Sequence, residues 1–175
     1  GIVVKDNTAI LFHRVGNFEV VEAMNAKTGK VLWTSKHVTS FNSAFNPDKG
    51  PRSTPLIHKG NVYVFGSQGV LRCLQMKDGK ELWIRRTHQD FNAREGYFGA
   101  GSSPIVAGGK LLVNVGSRAG AGIVAFDLLT GKTVWKAVND TGSYSSPVVT
   151  TVDGVEHVLF ITRFKLLSID AKPEP

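Results

Sequence analysis

Val124-Ala-Phe-Asp-Leu-Leu-Thr-Gly-Lys-Thr-Val-Trp135 decides the fold, because the chain repeats it. Glu22-Ala-Met-Asn-Ala-Lys-Thr-Gly-Lys-Val-Leu-Trp33 and Arg72-Cys-Leu-Gln-Met-Lys-Asp-Gly-Lys-Glu-Leu-Trp83 align with it without a gap. In each copy the tryptophan (Trp33, Trp83, Trp135) lies four residues after a glycine (Gly29, Gly79, Gly131). It also lies nine residues after a large apolar residue (Met24, Leu74, Phe126). A fourth copy, Leu167-Ser-Ile-Asp-Ala-Lys172, starts alike and gives way to Pro173-Glu-Pro175. The residue before the large apolar one is small in all four: Ala23, Cys73, Ala125 and Ser168.

A second marker precedes the tryptophan segments. Ser53-Thr-Pro55, Ser102-Ser-Pro104 and Ser145-Ser-Pro147 each open an apolar run. The tryptophans stand 50 and 52 residues apart, a period that belongs to propellers and solenoids. Within a unit, short β-rich runs alternate with Gly, Asp and Asn, as all-β structure requires. The third unit divides into strands at Ser103–Ala107, Lys110–Gly116, Ile123–Asp127 and Thr133–Val138. Thr28-Gly29, Asp78-Gly79 and Thr130-Gly131 suit tight turns, where glycine accepts a positive φ without steric cost. No segment holds a helical period. A four-stranded sheet of this kind covers both faces against neighbouring blades, so the outer-strand tryptophan covers the seam and the small residue faces it. Cys73 is accordingly read as a packing residue.

Composition narrows the function classes. Hydrophobic residues make up 42% and charged residues 20% of the 175, which is ordinary for a folded globular chain. No run approaches the roughly 20 apolar residues that cross a bilayer, and no basic-then-apolar start resembles a secretion signal. The chain begins at Gly1 rather than at Met, as a processed product, an excised piece or part of a longer chain would. One cysteine excludes an intrachain disulfide. The net charge of +7 is spread over turns and strand ends, which predicts a solvated positive surface and no nucleic-acid partner.

At the repeated residues the sequence resembles the quinoprotein-type, or PQQ-like, propeller repeats. Ala125-Phe-Asp127, Thr130-Gly-Lys132 and Trp135 match the whole pattern, and Asn25 or Gln75 replaces the aspartate elsewhere. The resemblance implies an all-β propeller of four-stranded antiparallel blades and a periplasmic or otherwise extracytoplasmic bacterial protein. It also implies one of two activities. One branch holds pyrroloquinoline quinone and calcium in an eight-bladed dehydrogenase; the other is a cofactor-free, BamB-like scaffold. The cofactor-free branch is favoured, with no cofactor expected. The lone cysteine excludes the paired cysteines typical of the first branch within this chain, and the tryptophans all belong to the repeat. Asp90, Glu95 and Asp140 form no calcium motif, and the five histidines show no metal spacing. Gly116–Gly122 reads as a long hairpin turn, since no helix follows it.

No catalytic residue is therefore expected, and function is sought in the connections between blades. Two of them are long and alike, from Phe41-Asn42 to Arg52 and from Phe91-Asn92 to Gly101. Phe45, Lys49, Arg52, Arg94, Glu95, Tyr97 and Phe98 are the candidate binding residues, because aromatics and arginines dominate binding hot spots. Phe41 and Phe91 are expected to plug seams. The leading expectation is a non-catalytic binding or scaffolding module for a protein or small ligand. The alternatives are a fragment of a quinone- and calcium-dependent alcohol or sugar dehydrogenase, and a carbohydrate-binding propeller using Tyr97, Phe98 and Tyr144. Blades are expected at about 1–35, 53–86, 102–138 and 145–175, in one propeller segment. Such an arc is too short to close, so further blades of a longer chain, or self-association, are expected to complete it.

Overall fold

The computed structural model describes residues 1–43 and 47–171. Four antiparallel sheets follow one another along the chain, each a meander of neighbouring strands. The first contains β1 (Ile2–Lys5), β2 (Thr8–Val15), β3 (Phe18–Asn25) and β4 (Val31–Val38). The second contains β5 (Leu56–His58), β6 (Asn61–Phe65), β7 (Val70–Gln75) and β8 (Glu81–Arg86). The third contains β9 (Ile105–Ala107), β10 (Lys110–Ser117), β11 (Ala121–Phe126) and β12 (Thr133–Ala137). The fourth has three strands, β13 (Val148–Val152), β14 (Val155–Ile161) and β15 (Leu166–Asp170). These are propeller blades in an open arc. A single helical turn, α1 (Thr87–Asp90), departs from the all-strand expectation, immediately after β8.

Alternation along the strands sends successive side chains to opposite blade faces. Val62 and Val64 of β6 pack with Ile10, Phe12 and Val21 of the first blade. Their neighbours Tyr63 and Phe65 pack with Leu111, Val113 and Phe126 of the third. Leu112, Ile123 and Ala125 turn the other way, onto Val158 and Phe160 of the fourth. Middle blades are thus buried on both faces: β11 reads as an unbroken apolar run, and β7 is buried from Val70 to Leu74 although it carries Arg72.

The repeated tryptophan fastens each blade to the next. Trp33 Nε1 donates to the Met76 carbonyl at 2.9 Å, and Trp83 Nε1 to the Leu128 carbonyl at 3.1 Å. Each acceptor lies in the hairpin before the next blade's outer strand. The small residues are cross-strand partners: Ala23 opposite Trp33, Cys73 opposite Trp83 and Ala125 opposite Trp135. Ser168 instead meets His157, its Oγ 3.1 Å from Nδ1. The turn glycine has two reasons to be glycine. Gly131 has φ +67, and a Cβ there would lie 2.7 Å from the Trp83 ring. Gly79, with φ +72, meets Trp33 in the same way, whereas Gly29 has open space around it. Cys73 is fully buried, and burial pushes its thiol up to about 11, far from a reactive thiolate. Asp127 Oδ1 accepts from the Leu129 and Thr130 amides, and Asn25 Oδ1 from those of Lys27 and Thr28, so both side chains organise the same turn.

The Ser-Pro markers form a second stitch at the inner strands. Thr54 N donates to Ser103 Oγ at 2.8 Å, and Ser103 N to Ser146 Oγ at 3.2 Å. Ser146 Oγ in turn donates to Ser103 Oγ at 2.9 Å. Ser53 Oγ, fully buried, donates to the Phe65 carbonyl at 2.6 Å.

Candidate functional site

In an antiparallel meander of four strands, the β2–β3 type of turn and the connection to the next blade emerge at the same end. The described parts of loops 39–55, 87–104 and 138–147 therefore gather with the turns at 66–69, 118–120 and 162–165. The connections, with the turns at 118–120 and 162–165, wall a cleft of about 1380 Å³. Its lining includes Arg94, Glu95, Tyr97, Asn114, Arg118, Thr141, Tyr144, Arg163 and Phe164.

The connections are tied to one another across the seams. Arg52 donates from Nη1 to the Phe98 carbonyl at 2.6 Å and from Nη2 to the Asp48 carbonyl at 3.0 Å. Its guanidinium also lies 5.3 Å above the Phe98 ring and 3.4 Å from the Asp48 carboxylate. Phe98 meets Tyr144 edge-on at 5.4 Å, and the Phe98 amide donates to Tyr144 Oη at 3.2 Å. Ser43 Oγ donates to the Tyr97 carbonyl at 3.0 Å. The two Phe-Asn connections and the third one form one continuous rim.

Buried charges hold the ends of this rim. Asp140 is 3% exposed and accepts from the Thr162 hydroxyl at 2.5 Å and from the Thr141 and Phe164 amides. Burial works to raise its carboxyl, but these donors outweigh it and hold the group below the ordinary range. Glu19 behaves in the opposite way. It is 2% exposed and accepts from the Ser67 amide at 2.7 Å in the neighbouring blade's turn, and burial raises its carboxyl. A Cβ on Gly66 would collide with Glu19 Oε2. His88, half-buried in the cleft wall, is lowered by burial.

The expected binding residues divide by location. Arg94, Glu95 and Tyr97 line the cleft. Arg52 and Phe98 fasten the rim, and Lys49 is exposed away from the lining. Phe45 lies outside the described residues. Phe41 is 4% exposed, and Phe91 packs edge-on to Phe126 at 6.2 Å; both fill seams. Sequence reasoning missed Arg118, Arg163 and Phe164, which sit in turns inside blades. The meander topology was the available signal, since it puts those turns beside the inter-blade connections.

The family described as outer membrane protein assembly factor BamB matches residues 17–173. The chain belongs to this PQQ-like repeat family. Over 148 residues it is 30% identical to the dehydrogenase subunit of the quinone alcohol dehydrogenase of Komagataeibacter europaeus, covering 79% of this chain and 20% of that one. BamB from Moraxella catarrhalis shares the fold at TM-score 0.59 and 20% identity, over 90% of this chain and 45% of that one. Quinohemoprotein alcohol dehydrogenase ADHIIG from Pseudomonas putida HK5 shares it at TM-score 0.64 and 20% identity, over 90% and 27%. The chain spans about a fifth of the length of the curated relatives it matches.

Among the described residues nothing assembles a site for the quinone and calcium that the repeat resemblance implies as one alternative, in a segment that spans a fifth of those relatives. Calcium takes six to eight oxygens, several from carboxylates. Among the described residues no three His, Cys, Asp or Glu gather as a metal group. The carboxylate on the cleft wall, Glu95, accepts from Gln68 Nε2 at 3.0 Å. Trp33 and Trp83 are committed to blade seams.

Proposed function

We propose that this segment is a non-catalytic binding module of a larger PQQ-like propeller, engaging its partner through the loop-face cleft outside the cytoplasm. The observation that carries this is the fastened rim. Arg52, Phe98 and Tyr144 lock successive connections together, and a preorganised rim lowers the ordering cost of binding. The family's description as an outer membrane assembly factor supports a scaffold role and an extracytoplasmic location. The remaining blades belong to a longer chain or to a second copy.

A second reading, a segment of a quinone-dependent alcohol dehydrogenase, draws on the 30% identity to such a subunit. Calorimetric titration of the full-length protein with pyrroloquinoline quinone and calcium separates the two. No heat of binding is expected. Tight, stoichiometric uptake would replace the first reading with the second and move the search for ligands to other blades.

A further inference from the structure

The seams between blades repeat one construction, and the first blade carries half of it uncovered. Its β3–β4 hairpin is closed by the Gly29 amide on the Asn25 carbonyl and the Asn25 amide on the Lys30 carbonyl, both at 2.8 Å. Gln75, Gly79 and Lys80 close the second blade's hairpin in the same way, and Asp127, Gly131 and Lys132 the third's. Each of the later two receives a tryptophan from the blade before. The ring lies against the glycine, and Nε1 donates to the Met76 or Leu128 carbonyl. Ala26 stands where Met76 stands: its amide donates to the Asn7 carbonyl at 2.9 Å, as that of Met76 does to the Gly60 carbonyl. Yet Ala26 is exposed, and a Cβ on Gly29, at φ +70, would meet nothing within 4 Å.

The sheet beside this hairpin is open too. Residues opposite each other on paired strands share a face. Ile2, Leu11 and Glu22 form one row across β1, β2 and β3, and Val4, Ala9 and Met24 form the next. In the second blade the counterparts of Ala9, Leu11 and Met24 are Val62, Val64 and Leu74, fully buried against the first blade. Ile2 is 56% exposed and Val4 57%.

Glu22 adds a chemical demand. It precedes Ala23 as Arg72 precedes Cys73, and Arg72 Nη2 donates across its seam to Ser35 Oγ at 2.8 Å. Ser35 lies two residues after Trp33. Arg85, two residues after Trp83, also crosses its seam, donating from Nη1 to the Gly131 carbonyl at 2.6 Å. The side chain two residues after the tryptophan is therefore the one that reaches the next blade. Glu22 has His13 beside it, Nε2 3.6 Å from Oε2. Covering this face strips water from the carboxylate, so whatever covers it must bring a donor. A second copy of the chain would bring its fourth blade, which has three strands among the described residues and no tryptophan in its repeat.

We infer that the open face of the first blade is docked by the tryptophan-bearing outer strand of a further blade of the longer chain. The indole lies on Gly29, Nε1 donates to the Ala26 carbonyl, and the side chain two residues on donates to Glu22. This rests on the larger-propeller part of the reading above and not on whether that propeller is catalytic. The two methionines read the face in the full-length protein, because peroxide converts an accessible Met to its sulfoxide. Met24 lies on the open face, and Met76 packs at the first seam.

By mass spectrometry Met24 is expected to oxidise several-fold more slowly than Met76, since a docked blade buries it as Leu74 is buried. Gly29→Ala puts a methyl under the indole and is expected to speed Met24 oxidation. Gly60→Ala, at φ +78 with open space around it, adds similar backbone strain and is expected not to. Glu22→Leu leaves the incoming donor without an acceptor and is expected to act like Gly29→Ala, whereas Glu22→Gln keeps the protection. Circular dichroism checks that each variant is folded. Met24 oxidising as fast as Met76 leaves the face bare and overturns the inference. Protection that survives Gly29→Ala or Glu22→Leu overturns the docking geometry. Protection lost on dilution, with a halved mass in light scattering, assigns the face to a second copy and overturns the inference as well. Uptake of quinone with calcium would change the reading of the loop-face cleft alone, so the two fail separately.

Discussion

Glu19 shows how a single side chain sets the pH behaviour of a seam. Its carboxylate bridges to the Ser67 amide and is nearly excluded from water, so burial raises it above the usual value near 4.5. An acid raised in the folded state binds its proton more tightly there than in the unfolded chain. By linkage its contribution is fully present below pH 4.5 and is lost as pH rises through the raised value. Glu19→Gln does not titrate. Unfolding of both proteins in urea from pH 4 to pH 7 is expected to show the wild type losing stability relative to the variant as pH rises. A constant difference across that range would mean that the carboxylate is not desolvated. Asp140 has the opposite sign, since its donors hold it low and its contribution disappears only in acid.

At the scale of an element, the outer strand and the following blade's hairpin form one docking unit. Trp83 combines a nearly buried ring, a hydrogen bond to Leu128 and contact with Gly131. Truncating a buried aromatic of this kind costs about 3–5 kcal/mol, so Trp83→Ala is expected to lose that much in denaturant unfolding. Trp135 is only partly buried, and its Nε1 has no partner among the described residues, so Trp135→Ala is expected to lose less. Equal losses would show that the hydrogen bond and the hairpin contact add nothing. Sequence made this unit visible, because tryptophan, glycine and the small residue recur at fixed spacing. It did not show that the small residue faces the tryptophan within one blade while the glycine receives the ring of the blade before.

Across the whole molecule, the two outer blades show apolar surface that the middle blades bury. Ile2, Val4 and Val38 are exposed on the first, and Val148, Ile161 and Leu166 on the fourth. Exposed apolar patches and open strand edges favour association. Residues 1–175 expressed alone are expected to elute as associated species in size-exclusion chromatography with light scattering. The same blades within a full-length chain are expected to be monodisperse. A cooperatively folding monomer of the isolated segment would contradict the need for further blades.

The sequence by itself determined the blade and its repetition. Local spacing carries that information: a turn glycine, a small residue and a tryptophan occupy positions set by hairpin geometry and a two-residue strand period. The cleft face was legible only in part. Arg94, Glu95 and Tyr97 stood out because their connection is long. Arg118, Arg163 and Phe164 sit in short turns that resemble any other, and only the arc brings those turns beside the connections. Arg52 and Phe98 carry the composition of a binding site, yet the tertiary structure uses them on each other. Whether an arginine faces a ligand or a neighbouring loop depends on contacts between residues more than 40 positions apart, and no local pattern encodes that choice.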